Sequence, residues 1–272
     1  MVEPETGPTA EPAGPPPGAP PGVPGPAVQA IAHRGFSGLW PENTAQAFTA
    51  ALAADADMIE LDARRTAGER VAVVHDDDLS RYGHAGLRVS ELDLARLARL
   101  DAGRWLHPRF AGAAFLGLRE ALELVGGAVP VNVEVKVDPG QEPHAGALVD
   151  ATLEEIRAAA SPPVLLSTFS PATFERLRAR APGLPAALLV GRGGDPGPRL
   201  LDRLAALGAE GVHVERSLAG APLVEAAHAR GLKVRVYTVN EPSAMRALID
   251  LGVDGIVTDW PDRLLALLWQ RR

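Results

Sequence analysis

Eight strand-like runs, each followed by a helix-like run, fill residues 28–272 and predict a (β/α)8 TIM barrel with a small insertion after the second strand. Alternating strands and helices require a parallel sheet covered by helices. The span is close to the roughly 250 residues of such a barrel. Charged residues also recur late in the strands, at the end where these barrels carry their chemistry. A doubly wound open sheet is the other arrangement, but it usually carries a Gly-rich first turn, and none follows the first strand.

Val28–Ala32 reads as the first strand and Thr44–Ala54 as an amphipathic helix. Asp57–Asp62 is the second strand, and Val71–His75 extends it or pairs with it. Residues 76–112, approximately, are too many for a βα loop and are expected to form a small subdomain at the barrel mouth. A helix at Leu118–Val125, a strand at Val131–Val137 and a helix at Ala145–Ala159 follow. Five more strand–helix pairs complete the alternation: Val164–Ser167 with Pro171–Ala181, Ala186–Val190 with Arg199–Leu207, Gly211–Val214 with Pro222–Arg230, Leu232–Tyr237 with Pro242–Asp250, and Gly255–Val257 with Pro261–Trp269. Proline suits the first turn of a helix, and Gly231 suits the end of one.

Residues 1–27 are dense in Pro, Gly and Ala. They lack the apolar segment needed for a core, so a disordered tail is expected there and a single barrel domain over 28–272. The tail has neither the basic nor the apolar region of a signal peptide. No window approaches the roughly twenty apolar residues of a spanning helix. The expectation is a soluble, cytoplasmic protein without a transmembrane segment.

Hydrophobic residues make up 46% of the chain but aromatics only 4%, so the core must be built mainly of Ala, Leu and Val. The net charge is −7 and no long basic run occurs, which argues against nucleic acid as a partner. Cysteine is absent, which excludes disulfides, a thiolate nucleophile and finger-type zinc sites. The only lysines are Lys136 and Lys233, so a lysine inside a strand stands out.

Glu60 and Asp62 lie in one strand, Glu134 and Lys136 in another. Residues two apart on a strand share a face, so each strand aims two charged groups at one side. An unpaired buried charge costs several kcal/mol or changes its protonation. Three carboxylates around a hard cation such as Mg²⁺, Ca²⁺ or Mn²⁺ would relieve that cost. Lys136 would then face an anion held by the metal. Ion pairing with arginines inside the barrel would relieve it too, and spacing alone leaves both solutions open.

His33, Arg34 and Gly35 follow the first strand, and His75 and Asp76 follow the extension of the second. A lone histidine at a strand end is more often a core residue, but two at two strand ends suggest shared acid–base work near neutral pH. Arg34 is a candidate clamp for phosphate or carboxylate. Asn43 or Thr44 can cap the first helix. Glu42 has no capping role and is a candidate metal or substrate contact. Ser167 lacks the Gly-x-Ser-x-Gly elbow of a nucleophile and suits a wall. Gly191–Gly194 lacks the Lys-Ser/Thr of a phosphate loop. His84, His107, His144 and His228 read as solvated, while His213 is undecided.

Taken in order, Ala32-His33-Arg34-Gly35, Pro41-Glu42-Asn43-Thr44, Ile59-Glu60-Leu61-Asp62, Val74-His75-Asp76 with Leu79 and Arg81, Leu100-Asp101-Ala102-Gly103, Val133-Glu134-Val135-Lys136, Tyr237-Thr238-Val239-Asn240 and Gly252–Pro261 resemble the glycerophosphodiester phosphodiesterase family. The ordered set is specific where no single motif is. The resemblance implies a (β/α)8 barrel with an insertion after the second strand. It also implies a divalent metal, Mg²⁺ or Ca²⁺, on Glu60, Asp62 and Glu134, with His33 and His75 as the acid–base pair. Arg34 and Lys136 would contact phosphate, and Glu42, Tyr237 and Asn240 would complete the substrate site. The substrate would be a small glycerophosphodiester, cleaved to glycerol 3-phosphate and an alcohol. An alternative is lysophospholipase D-like cleavage of a lysophospholipid, for which Leu106, Phe110 and Phe115 could supply an apolar rim. A non-catalytic binding protein would be expected to have lost a carboxylate or a histidine, and none is lost. Tyr237 stands where the family often has Trp, Leu116-Gly117-Leu118 where Pro-Thr-Leu is common, and Tyr82 where Thr is common.

Overall fold

A computed structural model describes residues 28–138, 140, 142–159 and 163–271; the expected tail at 1–27 lies outside the described residues. The elements run β1 (Gln29–Ala32), α1 (Ala45–Ala53), β2 (Met58–Arg65), β3 (Val71–Val73), α2 (Leu94–Leu97), β4 (Leu116–Gly117), α3 (Leu118–Val125), β5 (Val131–Val135), α4 (Ala145–Ala158), β6 (Val164–Thr168), α5 (Pro171–Arg180), β7 (Ala186–Val190), α6 (Pro198–Ala206), β8 (Gly211–Glu215), α7 (Ala221–His228), β9 (Lys233–Tyr237), α8 (Pro242–Leu251), β10 (Gly255–Thr258) and α9 (Pro261–Trp269).

Eight of these strands pair in parallel in the order β1-β2-β5-β6-β7-β8-β9-β10, and β10 returns to β1. The sheet is therefore closed and has no free barrel edge. This is the TIM barrel that the sequence predicts. Its strands read as continuous apolar runs because helices cover the outside and packed side chains fill the inside. The main core lies between the strands and the helices, and includes Ile59, Leu61, Val133, Leu166, Val212, Val234 and Ile256. A smaller cluster of Ile31, Met58, Leu165, Ala187 and Val257 packs separately.

Helix boundaries fall where local chemistry ends the free N–H and C=O rows. Thr44 caps α1, its hydroxyl accepting from the Ala47 N–H at 3.4 Å and donating to the Pro41 carbonyl at 2.6 Å. Pro171 opens α5, and Gly252, in a left-handed conformation, ends α8. The helix expected to reach Arg230 ends at His228.

The second strand differs from its expected bounds. β2 continues past Asp62 to Arg65 and pairs antiparallel with β3, which in turn pairs antiparallel with β4. The alternation of β3 explains this. Val71 and Val73 point into the barrel core, while Ala72 and Val74 join a second core with Leu79, Tyr82, Leu97 and Phe115. The insertion thus has an apolar centre of its own, fastened to the barrel by a three-stranded antiparallel ribbon. Phe115 is buried in that centre, Phe110 packs against Trp40 with ring centres 5.5 Å apart, and Leu106 is exposed. The three do not assemble into an apolar rim.

Candidate active site

The barrel brings Glu60, Asp62 and Glu134 together, with one carboxylate oxygen of each within 4.8 Å of the others. All three side chains are buried. Register accounts for part of this, because Asp62 sits directly beside Glu134 across the β2–β5 pair. Lys136, just past β5, places its ammonium 2.8 Å from Glu134 Oε1 and 3.4 Å from Asp62 Oδ1.

Arg34 reaches the same cluster from the end of β1. Its backbone N–H donates to Glu60 Oε2 at 2.9 Å, while its guanidinium lies 3.2 Å from Asp62 Oδ2 and 3.0 Å from Glu42 Oε1. This double use needs a sharp turn, with Arg34 at φ 53° and Gly35 at φ 80°. Space also demands glycine at 35, because a Cβ there would lie 2.6 Å from the Ala47 carbonyl carbon. Asn43 holds Asp62 from another side, donating from Nδ2 to Oδ2 at 2.8 Å.

The two histidines flank the cluster, and each ring has a carboxylate on Nδ1. His33 Nδ1 lies 2.6 Å from Asp259 Oδ1, and His75 Nδ1 lies 2.5 Å from Asp76 Oδ1. Asp259 is fixed in turn by Ser37 Oγ at 3.0 Å and by Asn240 Nδ2 at 2.6 Å. Asn240 also accepts from the Asp259 N–H at 3.0 Å. Its amide is therefore engaged within the protein, as is Glu42, which pairs with Arg34, Arg81 and Tyr82. The Tyr237 hydroxyl donates to the Val190 carbonyl at 3.0 Å, and its ring meets exposed Phe169 edge-on at 5.9 Å. His75, Asp76, Arg81 and Lys136 line an open hollow of about 510 Å³.

Burial and the adjacent charge of Asp62 push Glu60 up to about 8, against the pull of His33 and Arg34. Burial also raises Glu134, with Asp62 adding to it and Lys136 opposing. Burial would raise Asp62 as well, but Arg34 and Lys136 hold it well below the usual carboxylate range. The two histidines diverge. Burial would lower His33, yet the bond to Asp259 and the charge of Glu60 leave it raised. Burial lowers His75, and Arg34 and Lys136 reinforce that against Asp62.

The donor set fits a hard divalent cation. Arginine pairing accounts for Asp62 but not for the whole set, since Arg34 is shared with Glu42 and three carboxylates face two cations. Asp62 Oδ1 is buried and accepts no hydrogen bond, and burial, with the charge of Asp62 added, drives Glu60 and Glu134 towards their neutral forms. A cation among all-oxygen ligands would answer both.

Asp259 and Asp76 are the residues that sequence reasoning did not single out. Asp259 directly follows β10, and Asp76 directly follows His75 a short way past β3; that placement was the available signal. The other histidines lie elsewhere. His213 is buried deep in the barrel beside Arg235 in register, and burial and that guanidinium push it down to about 3. Ser167 is fully buried, with no base in hydrogen-bond contact.

The model of the glycerophosphoryl diester phosphodiesterase family matches residues 33–263. The chain belongs to that family. Its membership makes it a phosphoric diester hydrolase, a glycerophosphodiester phosphodiesterase. It is 32% identical over 241 residues to the glycerophosphodiester phosphodiesterase of Bacillus altitudinis, covering 87% of this chain and 96% of that one. It is also 32% identical over 244 residues to the enzyme of that name from Caldanaerobacter subterraneus, covering 88% and 96%. Among solved structures, an Oleispira antarctica phosphodiesterase in complex with the product sn-glycerol-3-phosphate superposes with a TM-score of 0.80. That match has 28% identity and covers 87% of this chain and 94% of that one. Among the described residues, no helix is long and apolar enough to cross a membrane.

Proposed function

We propose that this hydrolase cleaves a small glycerophosphodiester to glycerol 3-phosphate and an alcohol, using a divalent cation on Glu60, Asp62 and Glu134 and proton transfer by His33 and His75. The observation that carries the reading is the carboxylate trio, its oxygens within 4.8 Å, flanked by two imidazoles each tethered through Nδ1 to a carboxylate. The product bound by the Oleispira relative, sn-glycerol-3-phosphate, supports the same substrate class.

A bound cation would supply Lewis acidity, neutralising phosphodiester charge and easing ionisation of a glycerol hydroxyl. The residues of the chain account for the rest. With Nδ1 of each ring held by an aspartate, Nε2 is the nitrogen left to face substrate. One imidazole accepts the proton of the neighbouring glycerol hydroxyl as its oxygen bonds to phosphorus. The other donates a proton to the departing alcohol oxygen as its bond to phosphorus breaks. Water then opens the resulting cyclic phosphodiester with the two roles exchanged. The opposite displacement of the two pKa values favours His33 as the first donor and His75 as the first acceptor. Arg34 and Lys136 supply fixed positive charge for the phosphoryl oxygens.

The test is release of glycerol 3-phosphate from a panel of glycerophosphodiesters with Mg²⁺ or Ca²⁺, with and without chelator. Turnover that chelator abolishes is expected. No release from any glycerophosphodiester with any divalent ion would overturn the reading. Lysophosphatidylcholine in the same panel tests the lipid alternative, for which slower turnover than of glycerophosphocholine is expected.

A further inference from the structure

We propose that Arg81, on the insertion, is a positioning residue that fixes His75 and Arg34 together through one guanidinium; the inference rests on the roles given to those two residues above. Arg81 sits on a short 3₁₀ turn, Leu79–Tyr82. That turn is anchored by buried Leu79 and Tyr82 in the insertion core. Its Nε donates to Asp76 Oδ2 at 2.7 Å, and the other oxygen of Asp76 holds His75 Nδ1 at 2.5 Å. Its two terminal nitrogens grip Glu42, Nη2 to Oε1 at 2.6 Å and Nη1 to Oε2 at 3.2 Å. Glu42 Oε1 in turn accepts from Arg34 Nη1 at 3.0 Å. A continuous run of charged contacts therefore links an imidazole, Asp76, Arg81, Glu42 and the guanidinium that lies 3.2 Å from Asp62.

The guanidinium is itself held flat. It stacks 4.4 Å from the Tyr82 ring centre and 4.9 Å from that of Trp105. The Tyr82 hydroxyl accepts from Arg81 Nη2 at 2.7 Å and donates to Glu42 Oε1 at 2.9 Å. Arg81 pulls both carboxylates below their usual range although burial opposes it, so both are charged acceptors near neutral pH.

Only a planar fork of donors satisfies two carboxylates in different directions at once; an ammonium offers its donors from a single point. The Arg81 side chain is 36% exposed, and ion pairs so open to water add little to stability. The arrangement therefore acts on geometry, where small misplacements of reacting groups are costly. It also gives the insertion a part in the chemistry through the residues that Arg81 holds.

The experiment measures kcat, KM and thermal midpoint for Arg81→Gln and Arg81→Lys. It adds Asp76→Asn, Glu42→Gln, the Arg81→Gln/Asp76→Asn double variant and His75→Ala, all with glycerophosphocholine and saturating Mg²⁺. The expected result is a fall in kcat of about 10- to 100-fold for Arg81→Gln, with a thermal midpoint within about 3 °C of the parent. Lysine should rescue only part of that fall. In the Asp76→Asn background, Arg81→Gln should cost several-fold less than in the parent, because the branch to His75 is already cut. If His75→Ala is inactive while both Arg81 variants stay within about threefold of the parent, the inference falls and the functional reading stands. An undiminished cost in the Asp76→Asn background overturns it equally. A His75→Ala protein that keeps its turnover overturns the reading of His75 and this inference with it.

Discussion

Asp259→Asn separates the support of His33 from the carboxylate cluster, because the Asp259 carboxylate bonds to His33, Ser37 and Asn240 and not to Glu60, Asp62 or Glu134. The substitution keeps size and shape and removes one negative charge. The lost interaction is a hydrogen bond of 2.6 Å between a half-buried carboxylate and an imidazole whose pKa it raises. A hydrogen bond to a charged group contributes about 1.5–3 kcal/mol. If it is needed at full strength only when His33 is protonated, kcat falls by roughly 10- to 150-fold. The pH profile should move as well. A raised folded pKa gives stability that is present at low pH and lost as pH rises through that pKa. Without Asp259 the imidazolium loses this support, so the limb belonging to His33 moves to lower pH. Steady-state release of glycerol 3-phosphate across pH 5 to 9, read beside parent enzyme, is the assay. A kcat within about threefold of the parent and an unmoved limb would refute the tether as a working part of the site.

Glu134→Gln should abolish turnover and weaken Mg²⁺ or Ca²⁺ binding measured by calorimetry. Its thermal midpoint in chelator should not fall, since one of three crowded charges is gone; a lower midpoint with normal ion binding would contradict the proposed cluster. Gly35→Ala should destabilise the fold by roughly 2–5 kcal/mol in urea unfolding. About 1–2 of that comes from the left-handed backbone and about 1–3 from the overlap with Ala47; a loss under about 0.5 kcal/mol would refute both causes. At the other end of the barrel, burial would raise Glu210, but Arg235 brings it down to about 2 from 4.5. A depressed carboxylate gives stability that is present above its unfolded pKa and lost as pH falls towards the folded one. That difference amounts to on the order of 3 kcal/mol, so stability against unfolding should fall between pH 4.5 and 2 in the parent. Glu210→Gln should flatten that dependence, and an unchanged acid slope would sink the assignment.

The barrel was legible because its signal is local. Apolar runs such as Ala186–Val190 and the helix starts at Pro171 and Pro261 need only a few neighbouring residues to be read. The charged positions were legible for the opposite reason, since Glu60, Asp62 and Glu134 break runs that are otherwise buried and apolar. What sequence did not disclose is long-range pairing. His33 and Asp259 lie 226 positions apart, and they meet only because β10 closes onto β1. Pairing of Val71–His75 with the second strand was one of two readings the sequence allowed, but the continuation of β2 past Asp62 was hidden, because its polar residues Arg64 and Arg65 read as the end of a strand. Arg64 is in fact buried, held by Asp138 and the His75 carbonyl. Asn240 was read as facing the ligand, and nothing in its local motif foretold that its amide would be occupied by Asp259.

The ribbon of β2, β3 and β4 has one further implication. The strand that bears Glu60 and Asp62 runs without interruption out of the cylinder and becomes the root of the excursion that follows it. The excursion cannot therefore be trimmed away or exchanged as a separable module. Shortening it would pull on the same backbone that spaces two of the clustered carboxylates, and a transplant from a relative would have to bring its own copy of that strand.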